Sequence, residues 1–228
     1  MDSHPVVYET SRATLRILNE GRAHCTGWLV GDEGHILTNY HCIQTQWGAN
    51  NMRFEAMAEG ATCQTNCASA RRCPGTSIHT TPATLIKTGG SIEKDYTLLQ
   101  LSPEDRKAAV STYGYLKLRR SGPVLGERIY IPQHPRGWGK RIAMKDGKDW
   151  ATVIDVNTTD FNGCGLGQVG YKADTQGGSS GSPVIGLEDH AVIGIHHCGG
   201  CSSYANTATH MNVLIEAIAD LLPSSAFV

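Results

Sequence analysis

The stretch Asp174-Thr175-Gln176-Gly177-Gly178-Ser179-Ser180-Gly181-Ser182-Pro183-Val184 sets a serine among glycines, with a proline and an apolar run behind it. No other segment of the chain constrains its backbone so closely. Glycine admits positive φ and close main-chain approach, so the run reads as a tight turn feeding a strand. Such a turn lets the Ser180 hydroxyl protrude while neighbouring N–H groups face the same point in space. Gly178 can put its N–H beside that of Ser180, and donors placed in this way are worth ~2.7–4 kcal/mol each to a developing oxyanion. Serine is a poor nucleophile at its own pKa. It needs an imidazole to take its proton and a carboxylate to fix the tautomer of that imidazole.

Both partners stand upstream. His35-Ile36-Leu37-Thr38-Asn39-Tyr40-His41-Cys42 offers His41, and Asp95-Tyr96-Thr97-Leu98-Leu99-Gln100-Leu101 sets Asp95 at the mouth of an apolar run. The Gly-Ser-Ser-Gly-Ser-Pro run resembles the nucleophile motif of chymotrypsin-like serine proteases, in the form seen in V8-like glutamyl and lysyl endopeptidases. Leu-Thr-Asn-Tyr-His-Cys resembles the histidine block of that family, and the Asp95 segment resembles its Asp-x-Ala-Leu-x-x-Leu block. The order His41, Asp95, Ser180 is that of chymotrypsin-like enzymes rather than of subtilisins or α/β-hydrolases. The resemblance runs from about Thr14 to about Leu222. It implies an all-β fold of two six-stranded antiparallel β-barrels with a C-terminal helix, catalysis by His41, Asp95 and Ser180, and an oxyanion hole made by Gly178 and Ser180. It also implies a Cys25–Cys42 disulfide pinning the histidine loop, worth ~3 kcal/mol for a closed loop of that size.

The composition fits this reading. A hydrophobic fraction of 40 % and 26 glycines suit a turn-rich globular β protein, and a charged fraction of 18 % lies below the usual ~25 %. A formal net charge of −1 gives no polyelectrolyte argument for nucleic acid or a membrane surface. No apolar run approaches the ~18 residues that span a bilayer. The expected partner is a protein or peptide substrate met by a monomer, without cofactor or metal. The chain opens Met1-Asp2-Ser3-His4-Pro5, with no basic and apolar leader, yet it holds eight cysteines. An even count of this size favours disulfides and an oxidising compartment, so the sequence reads as the mature region of a secreted, extracellular protein.

Short alternating segments separated by turn signals fill both halves. The expected division is an N-terminal barrel, 1–110, carrying His41 and Asp95, and a C-terminal barrel, 111–228, carrying Ser180. Ser102 to Gly114, polar and charged, reads as the crossover between them. Residues 58–81 break the pattern with Cys63, Cys67 and Cys73 beside Arg71-Arg72, an insertion between the histidine and aspartate blocks. Zinc sites favour a repeated Cys pair or added histidines, so disulfides are expected there instead. With Cys25 and Cys42 assigned, the remaining cysteines allow 15 connectivities, and Cys198 could close on Cys201 or reach Cys164. Asn212 to Leu222 changes to a helical period.

Ile193-Gly194-Ile195-His196-His197-Cys198-Gly199-Gly200 offers a strand for a substrate to lie along. It resembles the Gly-Ile-His-x-Gly-Gly strand of glutamyl endopeptidases, with one residue added where His197-Cys198 stands for a single position. The resemblance implies that His196 and Thr175 receive a glutamate side chain, with His197 and Gly199 on the same substrate-binding rail. A protonated His196 would then give activity on Glu substrates that falls at higher pH. Asp174 supports a rival pocket. It precedes Ser180 by the spacing at which trypsin places the carboxylate that pairs Lys or Arg. A protease-fold binding protein without turnover is the alternative from another class.

Overall fold

The computed structural model describes residues 4–62, 64–160, 163–200 and 204–228. Two antiparallel sheets make up the molecule. The first contains β1 (Thr14–Asn19), β2 (Arg22–Val30), β3 (His35–Thr38), β4 (Met52–Ala56), β5 (Thr76–Ser77), β6 (Thr84–Thr88) and β7 (Thr97–Gln100), in the order β5-β4-β1-β2-β3-β7-β6. The second contains β8 (Ile129–Gln133) and β9 (Arg141–Ala143), and then, after a small hairpin of β10 (Lys145–Asp146) and β11 (Asp149–Trp150), β12 (Thr152–Asp155), β13 (Val169–Lys172), β14 (Pro183–Gly186), β15 (Val192–Cys198) and β16 (Asn206–His210). Its order is β12-β13-β16-β15-β14-β8-β9. Each sheet adds one short edge strand, β5 or β9, to the six expected.

The helices are α1 (Pro5–Ser11), α2 (Gln46–Asn50), α3 (Pro103–Tyr113) and α4 (Met211–Ile218). The crossover that reads as a polar connection folds as the 11-residue α3. Pro103 starts it, and the Ser102 hydroxyl accepts from the Asp105 N–H as an N-cap. The C-terminal helical period becomes α4, which buries Met211, Leu214 and Ile218 and runs on into a 3-10 turn at 219–221.

Fully buried Trp28, Leu29, Ile36, Leu37 and Leu98 of the first sheet belong to one apolar cluster that reaches Leu118, Tyr130, Val192 and Leu214 of the second half. Burial at ~25 cal/mol per Å2 makes this shared core the main restraint on how the sheets face each other. Side chains hold that junction too. The Arg16–Glu55 ion pair, at 2.6 Å, is buried between β1 and β4, and Arg16 Nη1 also donates to the Gly137 carbonyl of the second half at 3.2 Å. Lys140 Nζ meets Glu59 at 2.9 Å and donates to the Ser11 carbonyl at the end of α1, while the Tyr8 hydroxyl donates to Glu59 at 2.6 Å.

Three disulfides join described residues: Cys25–Cys42, Cys67–Cys73 and Cys164–Cys198. Cys63 and Cys201 lie outside the described residues. The insertion is therefore pinned by a bridge inside itself, and the end of β15 is tied to the loop after β12.

Candidate active site

His41 sits in the turn after β3, and Asp95 lies just before β7. These strands pair directly, with Thr38 opposite Thr97, so the two turns leave the same end of the sheet. Asn39, fully buried, donates its amide to the Asp95 carbonyl at 2.8 Å, and the Thr97 hydroxyl donates to the Ile43 carbonyl at 2.7 Å. Asp95, 2 % exposed, then receives two donors from one residue. The His41 backbone N–H reaches Oδ1 at 3.0 Å, and His41 Nδ1 reaches Oδ2 at 2.6 Å. A carboxylate only accepts, so Nδ1 carries the proton and Nε2 keeps its lone pair. The His41 side chain is 44 % exposed. Beside it the Cys25–Cys42 bridge ties β2 to this turn.

β2 also grips the serine turn. The Thr26 N–H donates to the Ser180 carbonyl at 2.8 Å, and the Thr26 hydroxyl donates to the Gly178 carbonyl at 2.9 Å. Trp28 Nε1 donates to the Gly181 carbonyl at 3.1 Å. Gly181 is at φ +88°, and a Cβ there would lie 2.1 Å from the Thr26 carbonyl oxygen, so only glycine lets the two chains approach. Behind the turn, Ser179 is fully buried; its Oγ accepts from the Gln176 N–H, and its carbonyl accepts from the Ser182 hydroxyl.

The Gly177 carbonyl accepts from the Arg136 N–H at 2.6 Å. Carbonyl and N–H of one trans peptide point in opposite directions, so this bond turns the Gly178 N–H the other way. Gly178 is at φ +94°. Among the described residues, neither the Gly178 nor the Ser180 N–H is spent on a protein carbonyl. Thr26, Trp28 and Arg136 thus shape this turn, and none has a local sequence signal. They act across strands that only the fold brings together.

The expected substrate strand is β15, and its added residue is absorbed by an irregularity. His196 pairs with Ala208 but Cys198 pairs with Thr207, leaving His197 as the extra residue of a β-bulge. His197 is consequently not on the substrate rail as expected. Its side chain is fully buried, with Nδ1 3.6 Å from Asp95 Oδ2 and Nε2 3.3 Å from the Thr207 hydroxyl. His196 is buried as well, with Nδ1 2.5 Å from the Tyr171 hydroxyl. Burial depresses its pKa to about 3, aided by the neighbouring His197 and His41, so the ring is neutral across the physiological range. The expected loss of charge on His196 at higher pH therefore has no counterpart. Thr175 Oγ1 accepts from the Asn206 amide at 3.0 Å, and Gly199 is exposed just beyond β15. Asp174 is exposed on a recess with Gln133, Trp138 and Arg141, and its carbonyl accepts from Gln133 Nε2 at 2.7 Å.

Residues 25–195 match the trypsin-like peptidase domain. The chain belongs to the trypsin-like peptidase family. It is 46 % identical over 224 residues to the secreted RxLR effector protein 73 of Plasmopara viticola, a match covering 96 % of the chain and 52 % of that protein. The chain thus spans about half the length of this curated relative. Among solved structures, it is similar to the active form of the Rv3671c protease from M. tuberculosis, with TM-score 0.65 and 16 % identity, covering 98 % of this chain and 88 % of that one. It is also similar to the MamO protease domain from Magnetospirillum magneticum, with TM-score 0.63 and 14 % identity, covering 92 % and 98 %. At such identities these two likenesses speak for the fold alone.

Proposed function

We propose that this domain is a secreted serine endopeptidase that works through His41, Asp95 and Ser180. His41 Nε2 takes the Ser180 proton as the hydroxyl attacks the scissile carbonyl. Asp95 stabilises the imidazolium, and the Gly178 and Ser180 N–H groups hold the oxyanion. The amine leaves with the proton from His41, and water then hydrolyses the acyl-enzyme by the same path in reverse. One observation carries the reading: a buried carboxylate fixes His41 Nδ1–H at 2.6 Å, so that Nε2 keeps the lone pair a general base needs. Acylation should rise with pH, because only the neutral imidazole accepts the serine proton.

Secretion is supported by the disulfides and by a relative named as a secreted effector. The substrate is a protein or peptide, met by a monomer. For the residue before the scissile bond we favour glutamate, received by Thr175 and a neutral His196 that donates from Nε2. Under this reading, cleavage after Glu does not decline at high pH through His196. The Lys or Arg reading would use Asp174, which is exposed on a recess lined by Thr175 and also by Arg141, a cation that would compete for that carboxylate.

Ser180→Ala is the decisive variant. It should lose turnover down to a residual ~10³–10⁴ over water and lose labelling by a fluorophosphonate probe, with its urea midpoint unchanged. Peptidase activity near wild type in that variant refutes the nucleophile, and absence of labelling in the wild type points to a binding protein without turnover. New termini following Lys or Arg in a digested protein mixture overturn the glutamate preference.

A further inference from the structure

We propose that Arg22, Arg71, Arg72 and Arg136 form a subsite for acidic side chains on the leaving-group side of the scissile bond. The inference rests on the reading of Ser180 as nucleophile and β15 as the strand that holds the acyl side of the substrate.

The Ser180–Gly181 peptide fixes the geometry. Its carbonyl accepts from Thr26 of β2, and its N–H donates to the His196 carbonyl of β15. The two groups of a trans peptide point in opposite directions, so β2 and β15 flank the nucleophile on opposite sides. A substrate whose acyl part lies along β15 must send its departing amine across the β2 side.

That side is lined with arginine. Arg22 opens β2, three residues before Cys25 of the bridge beside His41. Gly137 packs against Ala23 so closely that a Cβ on it would lie 2.0 Å from the Ala23 Cβ. The Gly137 carbonyl accepts from the Arg71 N–H at 3.0 Å, and Arg136 precedes it in the turn that holds the Gly177 carbonyl. The backbones of Arg22, Arg71 and Arg136 therefore meet around Gly137, beside the peptide that carries the Gly178 N–H, and the Arg136 guanidinium lies over the Trp138 ring at 5.7 Å, at the edge of the wall nearest the serine turn. Arg72 lines the same shallow recess as Arg22 and Arg71. All four are exposed.

The insertion supplies half of this wall and is fastened to it. The Cys67–Cys73 bridge closes the loop that carries Arg71 and Arg72, and the Cys67 carbonyl accepts from the Gly139 N–H at 3.2 Å. Arg71 and Arg136 both hold positive φ, at 63° and 53°, an uncommon conformation for side chains of this size. The local acids are already committed. Glu55 takes Arg16 and Arg53, and Glu59 takes Lys140 and the Tyr8 hydroxyl. Glu20, in the turn before Arg22, is the one other carboxylate adjoining the wall in sequence. Among the described residues, no ion pair joins Arg22, Arg71, Arg72 or Arg136 to a carboxylate. With a whole-chain net charge of −1, the positive charge is local to this wall and suits a short acidic segment rather than a long polyanion.

The test uses internally quenched peptides that share the acyl-side residue found before new termini in a digested protein mixture. They differ only in having Glu-Glu, Gln-Gln or Lys-Lys at the second and third positions after the bond. Fluorophosphonate labelling of the wild type, lost in Ser180→Ala, checks the nucleophile separately. We expect kcat/KM for Glu-Glu to exceed that for Gln-Gln about tenfold, which is ~1.4 kcal/mol, and Lys-Lys to be poorest. Salt should shrink the ratio, because exposed charges are screened. Arg71→Gln/Arg72→Gln should bring the ratio near one, and Arg72→Glu should move it toward Lys-Lys. Reading a ratio on each variant cancels any general loss of turnover. A labelled enzyme with no Glu-Glu preference, or with a preference the variants leave intact, overturns the subsite. So does a patch whose loss abolishes binding of heparin or DNA while the peptide ratio stays the same.

Discussion

The two sheets bury ionisable side chains by opposite means. With His35 of β3 as the exception, a histidine whose pKa burial lowers, the first keeps its buried groups charged and paired: Arg16 with Glu55 at 2.6 Å, and Asp95 with the two donors of His41. The second buries imidazoles and leaves them uncharged. His196 and His134 are pushed down to about 3 and His197 to about 4, in each case chiefly by burial. Pairing serves where a fixed charge must act or brace, as Asp95 does on His41. Neutral burial serves where a polar ring is packed inside the fold with no fixed charge to hold its proton.

The largest expected break in this contrast comes from Asp95→Asn. It keeps the shape but cannot hold the His41 tautomer, and kcat/KM should fall on the order of 10⁴ while the far-UV circular dichroism stays native. A loss below tenfold would mean that the carboxylate is merely structural. Next, Arg16→Met leaves buried Glu55 with only the half-exposed Arg53, at 3.3 Å, and should destabilise by about 3 kcal/mol in urea unfolding. Arg16→Met/Glu55→Leu should restore most of that, and if it does not, the pair contributes more than mutual neutralisation. The histidines of the second sheet predict a smaller effect per residue. Their folded pKa values are depressed, so the unfolded chain, titrating near ~6.5, takes up protons first as the pH falls. Their contribution is complete above pH ~6.5 and is lost on the way down, toward about pH 4 for His197 and about pH 3 for His134 and His196. Between pH 7 and 5 this should cost on the order of 1–2 kcal/mol per histidine, read from urea midpoints at the two pH values. His134→Phe should remove one share, and a flat profile would show that these rings are not buried neutral.

The same contrast marks what could be read in the sequence. Alternation, turn residues and the three blocks around His41, Asp95 and Ser180 are local, and they predict most strands and the ends of both sheets. α3 also had a local signal, Ser102-Pro103-Glu104-Asp105, but its charge makes it resemble a linker. The facing of His196 and His197 had none. Adjacent strand residues point to opposite faces, both faces of β15 are buried, and the bulge at His197 shifts the register. The Arg16–Glu55 pair spans 39 residues and two strands, and the converging arginines come from three separate segments. Such cross-chain meetings depend on how the sheets pack, which no window of sequence encodes.

Trp28 is fully buried, and its indole N–H ends on the Gly181 carbonyl, one residue after the nucleophile. That bond makes the residue an optical gauge of the active centre. Indole emission shifts to the red as the ring meets water, so any excursion that lifts the serine turn off β2 would colour the fluorescence before the sheets come apart. The difference between wild type and Trp28→Phe isolates this signal from Trp47, which is 76 % exposed, and from Trp138 and Trp150. Stopped-flow traces of that difference during acylation would time how far the turn moves with each catalytic cycle.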